Sequence, residues 1–201
     1  MIKKMMLLAV SAAAVVAFAV PATASAEGPL ITNVLGEAAS EVSAVSTNTV
    51  TEGAGGTRLA CATVNLQVAL SANEATTAHG SGGGTAEGSA PAHTGNCATN
   101  IEGVTADITN VTVNTIHLEN DGTGTSGTAS FSFSYNLVTH GEVVIGQCVF
   151  TGTGNVTSPS SSQLDVEATL TSSSGAPCPP AGNLSGTFDV YDELGEPAVI
   201  H

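Results

Sequence analysis

Apolar and polar residues alternate with a period of two along much of this 201-residue chain. The clearest run sets Ala129, Phe131, Phe133, Tyr135 and Leu137 against Ser130, Ser132, Ser134 and Asn136. Successive side chains of a strand point to opposite faces, so this run predicts a strand buried on one face and wet on the other. Thr139-His140-Gly141-Glu142 reads as a short turn with Gly141 taking positive φ. Val143, Val144, Ile145, Val149 and Phe150 form the predicted return strand, which also carries Cys148. This hairpin holds Phe131, Phe133 and Phe150 and is placed at the centre of an antiparallel β domain.

The same alternation predicts the other strands. Leu30, Ile31 and Val34 suggest a short edge strand, and Val42, Ala44, Val45 and Val50 fit a strand or a loose helical turn. One strand is read from Leu59 to Leu70. Residues 71–100 are rich in Gly, Ala, Ser and Thr and include Gly80-Ser81-Gly82-Gly83-Gly84, read as a long loop or as two weak edge strands about a glycine turn. Val104, Ala106 and Ile108 alternate, and the phase then slips to Val111, Val113 and Thr115, which predicts a β-bulge near Asn110. Asn120-Asp121-Gly122 signals a tight turn. Leu164, Val166, Ala168 and Leu170 make a strand with Asp165 and Glu167 outward, Leu184, Gly186, Phe188 and Val190 make another, and Ala198-Val199-Ile200 adds a short last one. Seven to nine short strands with hardly any helical period predict an all-β fold. An antiparallel, Greek-key or immunoglobulin-like sandwich is preferred, with a partly open barrel as the other form.

The N-terminus carries a different signal. Lys3 and Lys4 precede an apolar run from Met5 to Val20, followed by Pro21 and Ala24-Ser25-Ala26. A basic start, a 16-residue apolar run and a small-x-small site are the three parts of a secretory signal peptide. The run is shorter than a membrane span requires. Cleavage after Ala26 is expected to release a single domain, residues 27–201, with an N-terminal segment over 27–57 of uncertain order.

Export changes the charge picture. Without residues 1–26 the chain keeps all 17 acidic residues and one base, Arg58, a formal charge of −16. Nucleic acid and anionic membrane surfaces are therefore excluded as partners, because one Arg cannot displace the counterions of a phosphate array. The absence of Lys from the exported part excludes a Walker-type phosphate loop and Schiff-base chemistry. Four Cys in an exported chain read as two disulfides. Of three pairings, Cys61–Cys97 with Cys148–Cys178 is preferred, since each encloses one strand-plus-loop unit, with separations of 36 and 30 residues. By loop entropy each bridge stabilises by about 3–4 kcal/mol. Zinc is the competing use of the four Cys, and no Cys-x-x-Cys occurs to support it.

Gly146-Gln147-Cys148-Val149-Phe150-Thr151-Gly152, then Cys178-Pro179 and Leu184-Ser185-Gly186-Thr187-Phe188, resemble a group of secreted bacterial proteins of unknown function. The likeness covers residues 146–190, with a fainter echo at Leu59-Ala60-Cys61 and Gly95-Asn96-Cys97. It implies an exported all-β domain with two sequential disulfides, and it implies no activity.

Candidate chemistry is sparse. His79 and His93 flank the glycine-rich run, so a metal site with Glu74 or Glu87 is conceivable, but the spacing matches no ligand pattern and solvated loop histidines explain it better. Ser81 and Ser89 lie near these histidines without a Gly-x-Ser-x-Gly elbow. Asp165, Glu167, Asp189, Asp192 and Glu193 are the carboxylates from which a glycosidase pair would be drawn, and a solvated outer face is the better reading. Glu119-Asn120-Asp121-Gly122 superficially suggests a calcium loop, but it lacks the twelfth-position oxygen and starts at His117, so it reads as a turn. Asn110-Val111-Thr112, Asn155-Val156-Thr157 and Asn183-Leu184-Ser185 are glycosylation triplets, expected unmodified behind a bacterial-type signal. The remaining histidines, His140 and His201, join no motif. No catalytic, cofactor or metal residues are assigned. The expected protein is a secreted, non-enzymatic binding or structural module of unknown ligand, with a cell-surface or extracellular polymer as the candidate partner. The alternatives are a surface-fibre subunit and a hydrolase with its site near His79–His93.

Overall fold

A computed structural model describes residues 28–46, 49–53, 57–90, 93–94 and 96–201; the expected signal peptide lies outside the described residues. The strands, in chain order, are β1 (Ile31–Thr32), β2 (Glu41–Ser46), β3 (Thr49–Gly53), β4 (Arg58–Cys61), β5 (Thr63–Asn73), β6 (Thr77–Glu87), β7 (Ser89–Ala90), β8 (His93–Thr94), β9 (Cys97–Thr99), β10 (Val104–Asn120), β11 (Thr125–Thr139), β12 (Val144–Ser160), β13 (Gln163–Ser172), β14 (Ala181–Tyr191) and β15 (Val199–Ile200). Every pairing is antiparallel, and no described residue is helical.

Hydrogen bonding runs β10–β11–β12–β13–β14–β2–β5–β6 and returns to β10. A sheet whose last strand pairs with its first is a closed barrel, so the pairing takes the barrel form of the two architectures expected, largely as an up-and-down meander. At one end β3, β4 and β9 replace β2, β5 and β6 between β14 and β10, so the long strands β10–β14 serve two circuits of eight.

Alternate residues of each wall strand fill the interior. Phe131, Phe133, Phe150 and Phe188 are all buried, as are Leu66, Val68, Leu118 and Val156. Burying such side chains is worth about 1.5–3 kcal/mol each. The expected bulge occurs between Ile108 and Asn110. A second shift between Val113 and Thr115 was not foreseen; it leaves Thr115 outside and turns Ile116 and Leu118 toward the core.

Four expectations are corrected. The glycine-rich run is neither loop nor edge: Thr77–Glu87 is one continuous wall strand between β5 and β10. Its Gly80, Gly82 and Gly84 present the inward positions beside β5, and a Cβ at Gly82 would lie 1.8 Å from the Gln67 carbonyl oxygen. Only glycine admits that approach of two backbones. The single strand read over 59–70 is broken at exposed Ala62, and the buried set slips from Leu59 and Cys61 to Val64, Leu66 and Val68. In the β11–β12 turn the positive φ (61°) belongs to Glu142, not Gly141. Val143, Val144 and Ile145 are exposed, because β13 begins its pairing with β12 only at Phe150.

Both disulfides form as expected, Cys61–Cys97 and Cys148–Cys178, with all four Cys buried. Cys61–Cys97 ties β4 to β9, and Cys148–Cys178 ties β12 to the segment before β14. The opposite end of the barrel is closed by the terminal segments. β1 pairs with β15, Leu30 N–H donates to Glu74 O (2.6 Å), and Ile200 N–H donates to Ser161 O (2.6 Å). Asn73 Nδ2 donates to the carbonyls of Ile31 (2.6 Å) and Ala39 (3.0 Å). Leu30, Ile31, Ala198 and Ile200 are thereby buried over the barrel mouth.

Candidate functional site

Among the described residues the barrel interior is largely filled by side chains. Side chains leave two apolar cavities of about 40 and 30 Å³, the larger lined by residues such as Leu66, Val68, Val113, Phe131, Val156 and Phe188. A small-molecule site needs roughly 300 Å³ or more. Function is therefore sought on the outer wall.

Three of the five candidate carboxylates do meet there. Asp165, Glu167 and Asp189 line a shallow groove of about 510 Å³ over β13 and β14, with Gln163, Ser185, Gly186 and Thr187. The strands supply this geometry directly: Asp165 and Glu167 are two apart on one outward face, and Gln163 pairs with Asp189 across the ladder. Thr187 Oγ1 donates to Asp165 Oδ1 (2.6 Å), and Gln163 Nε2 donates to Asp189 Oδ1 (2.7 Å). Carboxylates side by side on one strand face project in parallel and do not oppose each other across a scissile bond as glycosidase pairs do. Asp192 and Glu193 lie beyond β14 in a separate turn.

The histidine reading is changed more deeply. His79 does not lie in a loop but on the outer face of β6, directly opposite His117 of β10. The rings are 4.2 Å apart between centroids, and His117 Nδ1 lies 2.9 Å from His79 Nδ1 and 3.1 Å from Nε2. The other nitrogen of His117, Nε2, lies 2.7 Å from Glu119 Oε1. Of the residues paired with His79 in the sequence reading, Glu87 is eight positions along the same strand, about 26 Å away, and Glu74 sits in the β5–β6 turn. His93 lies in β8, which pairs only with β7 among the described strands. Ser81 is exposed on β6, and Ser89 pairs in register with Thr94. Among the described residues no three His, Cys, Asp or Glu side chains converge as a metal cage. A glycine run read as a loop or as two weak edge strands gives no register against β10, so the sequence does not pair His117 with His79.

The acidic turn is a turn. Asn120 Oδ1 accepts from Gly122 N–H (2.7 Å), Asp121 Oδ1 accepts from Thr123 N–H and Oγ1–H (2.8 and 2.6 Å), and Gly122 takes φ 84°. These Thr123 hydrogen bonds, the side-chain one first, hold the Asp121 carboxyl below its ordinary range. His201 Nε2 meets Thr32 Oγ1 at 3.0 Å in the terminal cap. His140 N–H donates to Gly103 O in the opposite end's turns.

Elsewhere the outer wall is a lattice of hydroxyls and amides. Thr109–Ser134, Asn114–Ser132 and Thr115–Ser130 bond across β10 and β11 at 2.8, 2.9 and 2.7 Å. Asn110, Asn155 and Asn183 of the three glycosylation triplets are all exposed on wall strands. No protein-family model, curated protein or solved structure matches the chain.

Proposed function

We propose that this is an exported, non-enzymatic barrel that acts through its outer wall as an extracellular binding or structural module. The observation that carries the reading is the filled interior: among the described residues the closed wall surrounds apolar cavities of about 40 and 30 Å³, too small for a ligand, which leaves the exterior as the surface for binding. That exterior is dominated by Ser, Thr, Asn and carboxylates, groups that hydrogen-bond to hydroxylated or amide-bearing polymers. Two buried disulfides are compatible with an oxidising compartment, and the N-terminal 26 residues supply the export signal. The likeness of residues 146–190 to secreted β proteins supports the same placement.

The test has two parts. Protein recovered from culture medium should begin at Glu27 and lack four hydrogens relative to its reduced mass. It should then be retained by an insoluble extracellular polymer, with sacculi, chitin and cellulose as probes, without releasing soluble fragments. Fragment release abolished by one point substitution would overturn the non-enzymatic reading, and retention by none of the three would overturn polymer binding.

A further inference from the structure

We propose that His79 and His117 form a binding site for one divalent transition-metal ion, with Cu²⁺ preferred over Zn²⁺, and that Glu119 orients His117 for it. Two imidazole nitrogens bound at 2.0–2.1 Å and roughly 90–110° apart lie about 2.9–3.4 Å from each other. The His117 Nδ1 to His79 contacts, 2.9 and 3.1 Å, already fall in that interval. The register explains why: the two residues are directly opposed on neighbouring antiparallel strands, and both sit on the outward face.

Glu119 supplies the second, independent feature. It is two residues from His117 on the same face of β10, and its carboxylate accepts a hydrogen bond from His117 Nε2–H at 2.7 Å. Fixing that proton on Nε2 leaves a lone pair on Nδ1, the atom that faces His79. A ligating His whose other ring nitrogen donates to a carboxylate is the usual arrangement at metal sites. In the metal-free pair a ring N–H of His79 fills the space between the rings; when a cation takes its place, neutral His79 carries its one ring proton on its other nitrogen. With His117 about one-third exposed, the remaining coordination positions open to water or to a donor from a binding partner. Imidazole nitrogen favours Cu²⁺ most strongly among the divalent first-row ions and does not suit Mg²⁺ or Ca²⁺.

The experiment is titration of the purified full domain with Cu²⁺ and with Zn²⁺, read by calorimetry and native mass, with Ca²⁺ as the contrast. One equivalent of Cu²⁺ should bind to the wild type, more tightly than Zn²⁺, with two nitrogen ligands in the copper electron-paramagnetic spectrum. H79A and H117A should each weaken binding tenfold or more, E119A by about tenfold, and H140A should leave it unchanged. These side chains lie on the outer wall, and circular dichroism of each variant checks that the barrel persists. One equivalent retained by the folded H79A/H117A double variant, or no binding by the wild type, would overturn the proposal.

Discussion

Two turns near the terminal cap share a hydrogen-bond scheme, and the difference at their first position makes a sharp prediction. Asn33-Val34-Leu35-Gly36-Glu37 follows β1 and Asp192-Glu193-Leu194-Gly195-Glu196 follows β14, and the two share a hydrogen-bond scheme. Asn33 N–H donates to Glu37 O (2.9 Å) and Asp192 N–H to Glu196 O (2.8 Å); Gly36 and Gly195 take φ 79° and 80°. Asn33 Oδ1 accepts from the N–H groups of Leu35 and Glu37 (3.0 and 2.9 Å), and Asp192 Oδ1 from those of Leu194 and Glu196 (both 2.9 Å). The remaining atom differs. Asn33 Nδ2 donates to Glu37 Oε2 (3.2 Å), whereas Asp192 Oδ2 has no partner among the described residues although the residue is 3% exposed.

An unpaired buried acceptor costs about 1–3 kcal/mol, and an amide donating to Glu196 would add roughly 1 kcal/mol. Against that, two bonds to Oδ1 lose charge assistance, about 1 kcal/mol each. Asp192→Asn should therefore stabilise by about 1 kcal/mol. Asn33→Asp should destabilise by at least as much, because it creates the unpaired oxygen and sets it toward the Glu37 carboxylate. For a domain of this size the shifts are about 2–4 °C in Tm, of opposite sign. Thermal unfolding with intact disulfides measures both. Loss of stability in Asp192→Asn comparable to that in Asn33→Asp would refute the reasoning, since it would mean that Oδ2 gains its stabilisation from a group not in the turn.

Two further perturbations test the wall and the core. Gly82→Ala should cost about 3 kcal/mol or prevent folding, because its Cβ meets the Gln67 carbonyl oxygen at 1.8 Å; Gly83→Ala, whose Cβ meets only the Val111 carbonyl at 3.3 Å, should cost far less, and equal costs in urea unfolding would contradict the close-approach account. Burial pushes the Tyr135 hydroxyl from 10.0 up to about 12. The unfolded chain thus loses this proton first, so stability is flat below pH 10 and falls by up to about 3 kcal/mol between pH 10 and 12. Tyr135→Phe should remove that part of the alkaline loss, and an unchanged profile would count against it.

Much of the fold was legible because its signals are local. Alternation over 129–137 and 164–170 assigns faces without any knowledge of neighbours, and the buried sets there agree with it. The slip at Asn110 marked a bulge, and Asn120-Asp121-Gly122 marked a tight turn, in which Gly122 takes positive φ. Glycine misled the reading of 80–84 because its low strand preference is a local quantity, whereas its use here is non-local: it lets β6 lie against the β5 backbone. The candidate sites divided the same way. Asp165 and Glu167 sharing a face followed from period two; the meeting of His79 with His117 depended on a pairing between residues 38 apart.

The sequence by itself determined the all-β class, the strand faces over 129–137 and 164–170 and the acidic charge, since each depends on residue type and short spacing, and it offered the observed cysteine pairing as the preferred one of three. Closure of the wall, the filling of its interior, the His79–His117–Glu119 constellation and the unpaired Asp192 oxygen were decided only by tertiary structure. Strand register fixes which side chains face each other across a ladder, and register is set jointly by every bulge, turn and packed residue around the ring.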